Sequence, residues 1–365
     1  MRSIITYLIF FISISNVVIA QNPIKIGIAG MTHGHVHGLL GDKNNKDIII
    51  VGIAESDTAL VSRYQQMYHF DKSIVYSNLA EMLDKTQPDA VLGFGNIYDH
   101  LSIVEQCAPR GIHVMVEKPL AVNSTQAKKM KSLADKYKIE LLTNYETTWY
   151  GSHEKLYEEV QKGTVGSIKK VMVNDGHKGP KKIGVEKEFL SWLTDPKLNG
   201  GGAIIDFGCY GANLITWLNK GEKPISVTAI TSQLQKENNP KVDDESIIIL
   251  KYQDQVGVVQ GSWNWPIGRK DMEVYGEKGV ITAENHQNVN VKIATGYNTY
   301  DQEDYQIKNR EYPYNNPFSY FAAVINKTIE VQPYNLSSLE NNMIVVEILD
   351  AARKSAQSHK EIKLN

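Results

Sequence analysis

The sequence predicts an α/β protein in two parts: a doubly wound parallel sheet, then an α+β region built on a largely antiparallel open sheet. The first observation is an alternation between Ile24 and Asn144. Short apolar runs, "IKIGIAG", "DIIIVGIAE", "DAVLGFGN", "IHVMVEK" and "IELLTNY", are separated by stretches of helical spacing such as "DTALVSRYQQMYHF" and "STQAKKMKSLADKY". Strands covered on both faces need continuous apolar runs, and parallel neighbours need helical crossovers between them. The second observation is a change of rhythm after Asn144, where "GSIKKVMVNDG", "ISVTAITSQ", "ESIIILKYQ", "QVGVVQGSWNW", "KDMEVYGEKGVITAEN" and "VNVKIAT" follow one another at hairpin-like spacing. Third, neither a repeat nor a flexible linker separates the parts, so they are expected to share a rigid interface with a cleft.

Taken in order, the opening "MRSIITYLIFFISISNVVIA" carries one basic residue, an apolar middle and small residues at Val18 and Ala20. That pattern is expected of a secretory leader, residues 1–20, cut before Gln21 to give an exported, periplasmic protein. A membrane anchor is the competing reading, but the unbroken apolar run falls short of the roughly 20 residues a spanning helix needs. Residues 21–144 are then the dinucleotide-type domain, and residues 145–365 a substrate and oligomerisation domain. In the latter a helix over "SHEKLYEEVQKG" leads into the first strand, and "SSLENNMIVVEILDAARKSAQ" has the apolar spacing of a closing helix.

Composition narrows the function classes. With 42% hydrophobic and 22% charged residues in 365, the chain is ordinary globular material, long enough for two cores. Of 39 basic residues one, Arg2, is in the leader; the remaining 38 against 41 acidic give a net charge of −3, and they are scattered. No nucleic-acid partner is expected, nor any membrane contact once the leader is gone. Cys107 and Cys209 are too few for a disulfide framework and form no C-x-x-C pattern; they read as buried small hydrophobes, with a single bridge left open.

The stretch "KIGIAGMTHGHVHGLL" from Lys25 reads in two ways. As a dinucleotide turn it needs glycine for the tight bend, for the approach of backbone to pyrophosphate, and for helix packing on the strand. Gly30 fills the first place, while Thr32 and His35 stand in the second and third. Glu55 ends the next apolar run about 20 residues on, where a carboxylate accepts ribose hydroxyls and repels a 2′-phosphate, which favours NAD over NADP. As a metal site the stretch offers His33, His35 and His37. Alternating histidines share a face only on a strand, and at a strand-to-helix turn they are expected to diverge; no metal is expected, and the histidines are assigned to the cofactor cleft or the helix start.

The stretch "GIHVMVEKPLAVN" resembles the Glu-Lys-Pro signature of the glucose-fructose oxidoreductase and inositol dehydrogenase family (Gfo/Idh/MocA), with Glu117, Lys118 and Pro119 at a strand end after "PDAVLGFGNIYDH". The resemblance runs from Ile24 to the C-terminus through "GTVGSIKKV", "NGGGAIIDFGCYGANLITWL" and "ILDAARKSAQSHKEIKL". It implies a Rossmann NAD-binding domain and an oxidoreductase acting on a secondary hydroxyl or keto group of a sugar, polyol or sugar derivative. Cofactor contacts are expected from Gly30, Thr32, His33, Glu55, Asn96, His100, Glu117 and Lys118.

Oxidising a secondary alcohol needs a proton acceptor beside the hydride acceptor, and an ammonium that stabilises the developing alkoxide. Lys118 suits this at a strand's carboxyl end, where burial beside a cationic nicotinamide is expected to lower its pKa. Asp206 and Tyr210 fall at i and i+4, on one helical face, with Asp206 orienting Lys118 or the substrate hydroxyls. The family usually carries histidine at the second of these positions. Tyr210 departs from that pattern, as in some sugar and dihydrodiol dehydrogenases of the family, and is expected to exchange the proton through a lowered pKa. His177, Trp149 and Asn144 are expected to line the substrate cleft, with Trp149 and Trp192 offering faces on which a sugar stacks.

Export through a general leader strips a chain of cofactor. Three readings therefore stand side by side: an NAD-dependent oxidoreductase, an NAD-recycling glycoside-cleaving enzyme that passes through a transient keto-sugar, and a non-catalytic sugar-binding member. The retained Glu117-Lys118-Pro119 argues against the third. The family's open sheet leads us to expect a homo-oligomer.

Overall fold

The computed structural model describes residues 22–364, so the expected leader lies outside the described residues. The first sheet is built from β1 (Ile24–Ala29), β2 (Ile48–Ala54), β3 (Val75–Tyr76), β4 (Ala90–Gly93), β5 (His113–Glu117) and β6 (Leu141–Asn144). Between them run α1 (Val36–Gly41), α2 (Thr58–Tyr68), α3 (Leu79–Thr86), α4 (His100–Cys107) and α5 (Ser124–Tyr137). All pairs are parallel, in the order β3-β2-β1-β4-β5-β6. This is the doubly wound order, and its reversal between β1 and β4 opens a crevice at the carboxyl ends of the strands, where such sheets bind ligands. Helix starts are marked by side-chain caps: Asp57 accepts from Ala59 and Leu60, Asn78 from Glu81, and Asn123 from Gln126.

The second part begins with α6 (Gly151–Gln161) and β7 (Ile168–Gly176), then α7 (Pro180–Ile183), α8 (Lys187–Leu193), α9 (Ala203–Asp206) and α10 (Gly208–Leu218). Strands β8 (Ser226–Ser232), β9 (Glu245–Lys251), β10 (Val256–Ser262), β11 (Arg269–Gly276), β12 (Gly279–Ala283), β13 (Asn288–Ala294) and β14 (Tyr300–Gln306) follow, then α11 (Pro317–Ile325), α12 (Leu339–Ser358) and β15 (Ile362–Lys363). They form a nine-stranded sheet, β14-β13-β12-β11-β7-β10-β9-β8-β15. Only the β10 to β7 pair is parallel, so the expected open, largely antiparallel sheet is present. Helices α10 and α12 pack on one face, burying Ile248, Val259 and Trp263. The opposite face leaves Ile230 and Ile249 exposed.

One element crosses the expected division at Asn144. Helix α11 returns to the first sheet, where Phe318, Phe321 and Val324 join the core of Ile24, Ile26 and Leu39, and Ser319 donates to Asp47 at 2.6 Å. The six-residue α1 covers little of that face. The apolar side of α11 completes it, which removes further apolar surface from water.

Candidate active site

The cleft between the sheets, about 510 Å3, is lined from the first part by His33, His35 and Lys118 and from the second by His177, Asp206, Tyr210 and Lys270. A larger cavity of about 740 Å3, between Tyr157, Trp217 and Tyr334, contains none of these residues.

Lys118 follows β5 into the cleft floor and is 6% exposed. Its Nζ donates to Asp206 Oδ1 at 2.5 Å and to the Asp206 carbonyl at 2.8 Å. Trp263 Nε1 donates to Asp206 Oδ2 at 2.9 Å. Burial alone would lower the lysine pKa, but the adjacent carboxylate outweighs it and holds the ammonium well above its ordinary value, reversing the expected direction. Asp206 is held below the usual carboxylate range by the same ammonium. The pair is thus a fixed cation and its anchor rather than an exchangeable base.

The expected single helix through Asp206 and Tyr210 is broken. Asp206 ends α9, Phe207 takes φ −109, and Tyr210 lies in α10. The glycine run holds the start of α9 closely: a Cβ on Gly202 would lie 1.8 Å from the Asp243 carbonyl oxygen, and Asp243 Oδ1 and Oδ2 bind the amides of Gly202 and Ile204 at 2.9 and 2.7 Å. This close approach pins the short helix, and α10 starts afresh. Lys118 nevertheless lies over the Tyr210 ring at 4.9 Å, and Lys270 at 4.7 Å. Burial, with Glu146 and Asp175 nearby, pushes the Tyr210 phenol well above its ordinary value, so the lowered pKa expected of it is not found.

The three histidines of the turn do not all diverge. His33 and His35 converge on Glu117, their rings 4.5 Å apart, while His37 turns away to Tyr64, Tyr68 and Glu186. His35 Nδ1 lies 2.9 Å from Glu117 Oε2 and His33 Nε2 4.0 Å from the same oxygen. The other oxygen of Glu117 accepts from Asn144 Nδ2 at 2.9 Å. His33 packs on Phe189 and Trp192 of α8, which is docked on the first part by Arg63 to Glu188 at 2.9 Å. Burial holds His33 down to about 3, and His35 and His33 hold Glu117 down to about 2 against its burial.

The other expected contacts are placed as follows. Gly30 has φ +76, and a Cβ there would meet the backbone of Gly95 at 3.1 Å, so only glycine lets the loops after β1 and β4 touch. Thr32 is half-buried in the same turn. Glu55, at the end of β2, accepts from the amides of Met31 and Asp57, both at 2.9 Å. Asn96 caps the turn before α4 through Asp99. His100 is wholly buried, with Nδ1 3.1 Å from the Leu120 carbonyl, and is not among the cleft-lining residues. Asn144 and Trp149 also lie outside the lining: Trp149 Nε1 donates to Asn144 at 3.0 Å and its ring packs on Tyr320. Trp192 is 4% exposed, packed in the wall. His177 does line the cleft, its Nδ1 accepting the Gly179 amide at 3.0 Å. Cys107 and Cys209 are buried and free.

Sequence reasoning missed Asp175, Lys270 and Glu146. The β7 to β11 register sets Lys270 opposite Asp175, and Lys270 pairs with Glu146, just past the end of β6. Asp175 is 1% exposed with neither carboxyl oxygen hydrogen-bonded among the described residues, and burial raises its pKa well above the usual range. No local motif announces this trio, because it forms only through sheet pairing and the packing of the segment after β6 against β11.

A doubly wound domain whose buried Lys118 meets a carboxylate of the second part at the floor of a cleft is the arrangement of a two-domain dinucleotide-binding protein. The chain matches the family model described as "Oxidoreductase family, NAD-binding Rossmann fold" over residues 24–145 and "GFO/IDH/MocA C-terminal domain" over residues 153–282. It belongs to the Gfo/Idh/MocA family. It is similar to trans-1,2-dihydrobenzene-1,2-diol dehydrogenase of Xenopus laevis, 27% identical over 236 residues, 64% of this chain and 66% of that one, so the match spans just under two thirds of that relative. Similarity to inositol 2-dehydrogenase of Rhizobium meliloti (strain 1021) is 22% over 271 residues, covering 73% and 77%. The fold is also that of an NAD+-complexed inositol dehydrogenase homolog from Azotobacter vinelandii, with a TM-score of 0.81 at 15% identity over 94% and 98% of the chains.

The cofactor of this domain is NAD, and the residues fit it. The Gly30 bend keeps the turn tight, Gly34 faces open space, and Glu55 spends two of about four lone-pair sites on backbone, leaving the others for ribose hydroxyls.

Proposed function

We propose that the protein is an exported NAD-dependent oxidoreductase that interconverts a secondary hydroxyl and a keto group on a sugar, polyol or sugar derivative. The observation that carries the reading is the Lys118 ammonium fixed by Asp206 at the floor of a cleft of about 510 Å3. A permanent buried cation stabilises oxygen charge as it develops, without reorganisation at the moment of reaction. The wall supplies donors and acceptors, His177, Glu146 and Lys270, suited to a polyhydroxylated ligand. When bound, NAD supplies the hydride acceptor; Gly30, Thr32, His33, Glu55, Glu117 and Lys118 are the residues we assign to holding it. The dehydrogenase names of the relatives support this reading over the glycoside-cleaving and binding-only ones.

The export reading rests on residues 1–20, and the oligomer reading on Ile230, Ile249 and Val256, exposed on the open side of the second sheet. The test is mass spectrometry of small molecules released on denaturing the natively exported protein, with light scattering for its mass. NAD near one per chain, with absorbance at the reduced-nicotinamide band on adding a sugar or polyol, is the expected result. Protein that neither carries nor binds NAD would overturn the reading.

A further inference from the structure

The cleft holds an ammonium and a phenol that both keep their protons, so neither Lys118 nor Tyr210 takes the hydroxyl proton in the reaction proposed above. Of the four cleft imidazoles, His286 packs on the Tyr150 ring, and the other three can be sorted by which nitrogen is already committed. His33 Nδ1 accepts the His35 amide at 3.1 Å, and His177 Nδ1 accepts the Gly179 amide at 3.0 Å. A neutral ring that accepts at Nδ1 carries its proton at Nε2, so neither ring offers a second lone pair. His35 is the reverse. Its Nδ1 faces the ionised Glu117 carboxylate at 2.9 Å and therefore carries the proton, and its Nε2 has no hydrogen-bond partner among the described residues. The side chain is 36% exposed and lines the same cleft as Lys118 and Asp206. The same tautomer argument weighs against a metal, although His33, His35 and Glu117 bring one ligand atom each within 4.8 Å. A His33 that accepts at Nδ1 would have to bind metal as an imidazolate.

Resting on the proposed function, we infer that His35, oriented by Glu117, is the residue that takes the hydroxyl proton when the substrate is oxidised. The alcohol O–H bond breaks and its proton goes to His35 Nε2. The C–H bond breaks with its electron pair, which leaves as hydride to the oxidised nicotinamide of NAD; the substrate loses two electrons, the cofactor gains two, and a C=O bond forms. The new imidazolium faces the Glu117 carboxylate and passes its proton to water at its exposed edge. Reduction runs the steps in reverse. Glu117 holds the ring as the carboxylate of a hydrolase triad holds its histidine, with Asn144 Nδ2 fixing Glu117 in turn. Around His35 lie Glu117 and Lys118 at the end of β5, His33 in its own turn and Glu146 after β6. Burial lowers its pKa, but the two carboxylates, Glu117 foremost, outweigh Lys118 and leave it raised above 6.5.

The test pairs nitrogen-15 NMR of the imidazoles in the full chain with kinetics of His35→Gln and Glu117→Gln. We expect a ring protonated at Nδ1, absent from His35→Gln, that titrates above the ordinary histidine value and falls toward it in Glu117→Gln. We expect kcat for oxidation to drop by about 10²- to 10⁴-fold in His35→Gln, with the acid limb of the pH profile gone and NAD affinity within about twofold of the parent. Unchanged kcat with weakened NAD binding would make His35 a cofactor phosphate ligand and overturn the proposal, as would one metal per chain lost on the substitution. Wild-type protein without NAD binding would sink the proposed function, and with it the proton role of His35; a His35 ring protonated at Nε2 would sink the dyad alone.

Discussion

Lys118 Nζ and Asp206 Oδ1 are 2.5 Å apart, with both side chains under a tenth exposed, and the pair joins the end of the first sheet to the glycine-pinned helix of the second part. A buried pair of this kind is costly to break because the surviving partner is left charged and unpaired. It therefore fixes the relative position of the two walls as well as the charge in the cleft.

Lys118→Met is expected to reduce turnover by at least about 10²-fold, since a preorganised cation contributes on that scale. Stability changes too, with a defined sign. In the parent, the folded pKa of Asp206 is depressed, so its contribution is present above the unfolded value near 3.8 and is lost as pH falls through the folded one. Without Lys118, burial dominates and Asp206 rises above that value, so the variant loses stability as pH climbs from about 4. Urea melts should show a deficit of about 3–5 kcal/mol at pH 7 that shrinks toward pH 4. An equal deficit at both would refute the coupling.

Tyr210→Phe separates phenol from ring. The ring between Lys118 and Lys270 is kept, and the lost hydroxyl is one that stays protonated throughout the working range. Turnover should fall by no more than about 10-fold, with the acid limb of the pH profile unmoved. A displaced limb would return the proton-accepting role to Tyr210.

The unequal legibility of these residues in the sequence has physical causes. Glu117, Lys118 and Asp206 sit in stretches whose glycine, proline and strand-end context is local, so their neighbourhood could be read from the chain. Asp175 and Lys270 meet through pairing across 95 residues of chain, and no local pattern encodes that register. Strand β14, "YDQEDYQ", is polar and exposed on almost every residue and lacks alternation, while β3 is only two residues long. Helix α11 did carry a signal in Asn316 and Pro317, a cap followed by a first-turn proline, yet nothing in it tells which sheet it will cover. The convergence of His33 and His35 was hidden because both rings turn toward Glu117, a partner 82 residues beyond His35. The lowered pKa values expected of Lys118 and Tyr210 assumed burial and a nearby positive charge respectively; the Asp206 carboxylate reverses the first, and burial, with Glu146 and Asp175, reverses the second.

Glu55→Gln tests the cofactor side without touching the cleft chemistry. Glu55 uses two backbone amides to hold its carboxylate at the strand end; glutamine keeps the shape but accepts from only one of them, and it gives up charge-assisted bonds to ribose hydroxyls. Hydrogen bonds to a charged group are worth about 1.5–3 kcal/mol, so NAD affinity should weaken by about 10- to 100-fold in a fluorescence titration, with kcat at saturating NAD little changed. Discrimination against NADP should narrow in parallel, because the repulsion of a 2′-phosphate goes with the charge. An unchanged NAD affinity would place the ribose elsewhere.

Gly202→Ala probes whether the break between α9 and α10 is imposed by backbone contact. A methyl at Gly202 would meet the Asp243 carbonyl carbon and oxygen at 2.8 and 1.8 Å, and neither is the end of a flexible side chain. The helix start must move away, taking Asp206 with it, so stability should fall by about 1–3 kcal/mol or more, as expected of overpacking. Gly38→Ala is the control, because it is exposed and nothing lies within 4 Å of a Cβ there. If the glycine run acts through Asp206, Gly202→Ala loses turnover beyond its loss of folded protein. Its residual activity should then show the same weakened dependence on Lys118 as Asp206→Asn, measured as non-additivity in a double-mutant cycle with Lys118→Met. Strictly additive losses would mean that the run only packs α9 and has no part in aiming the carboxylate.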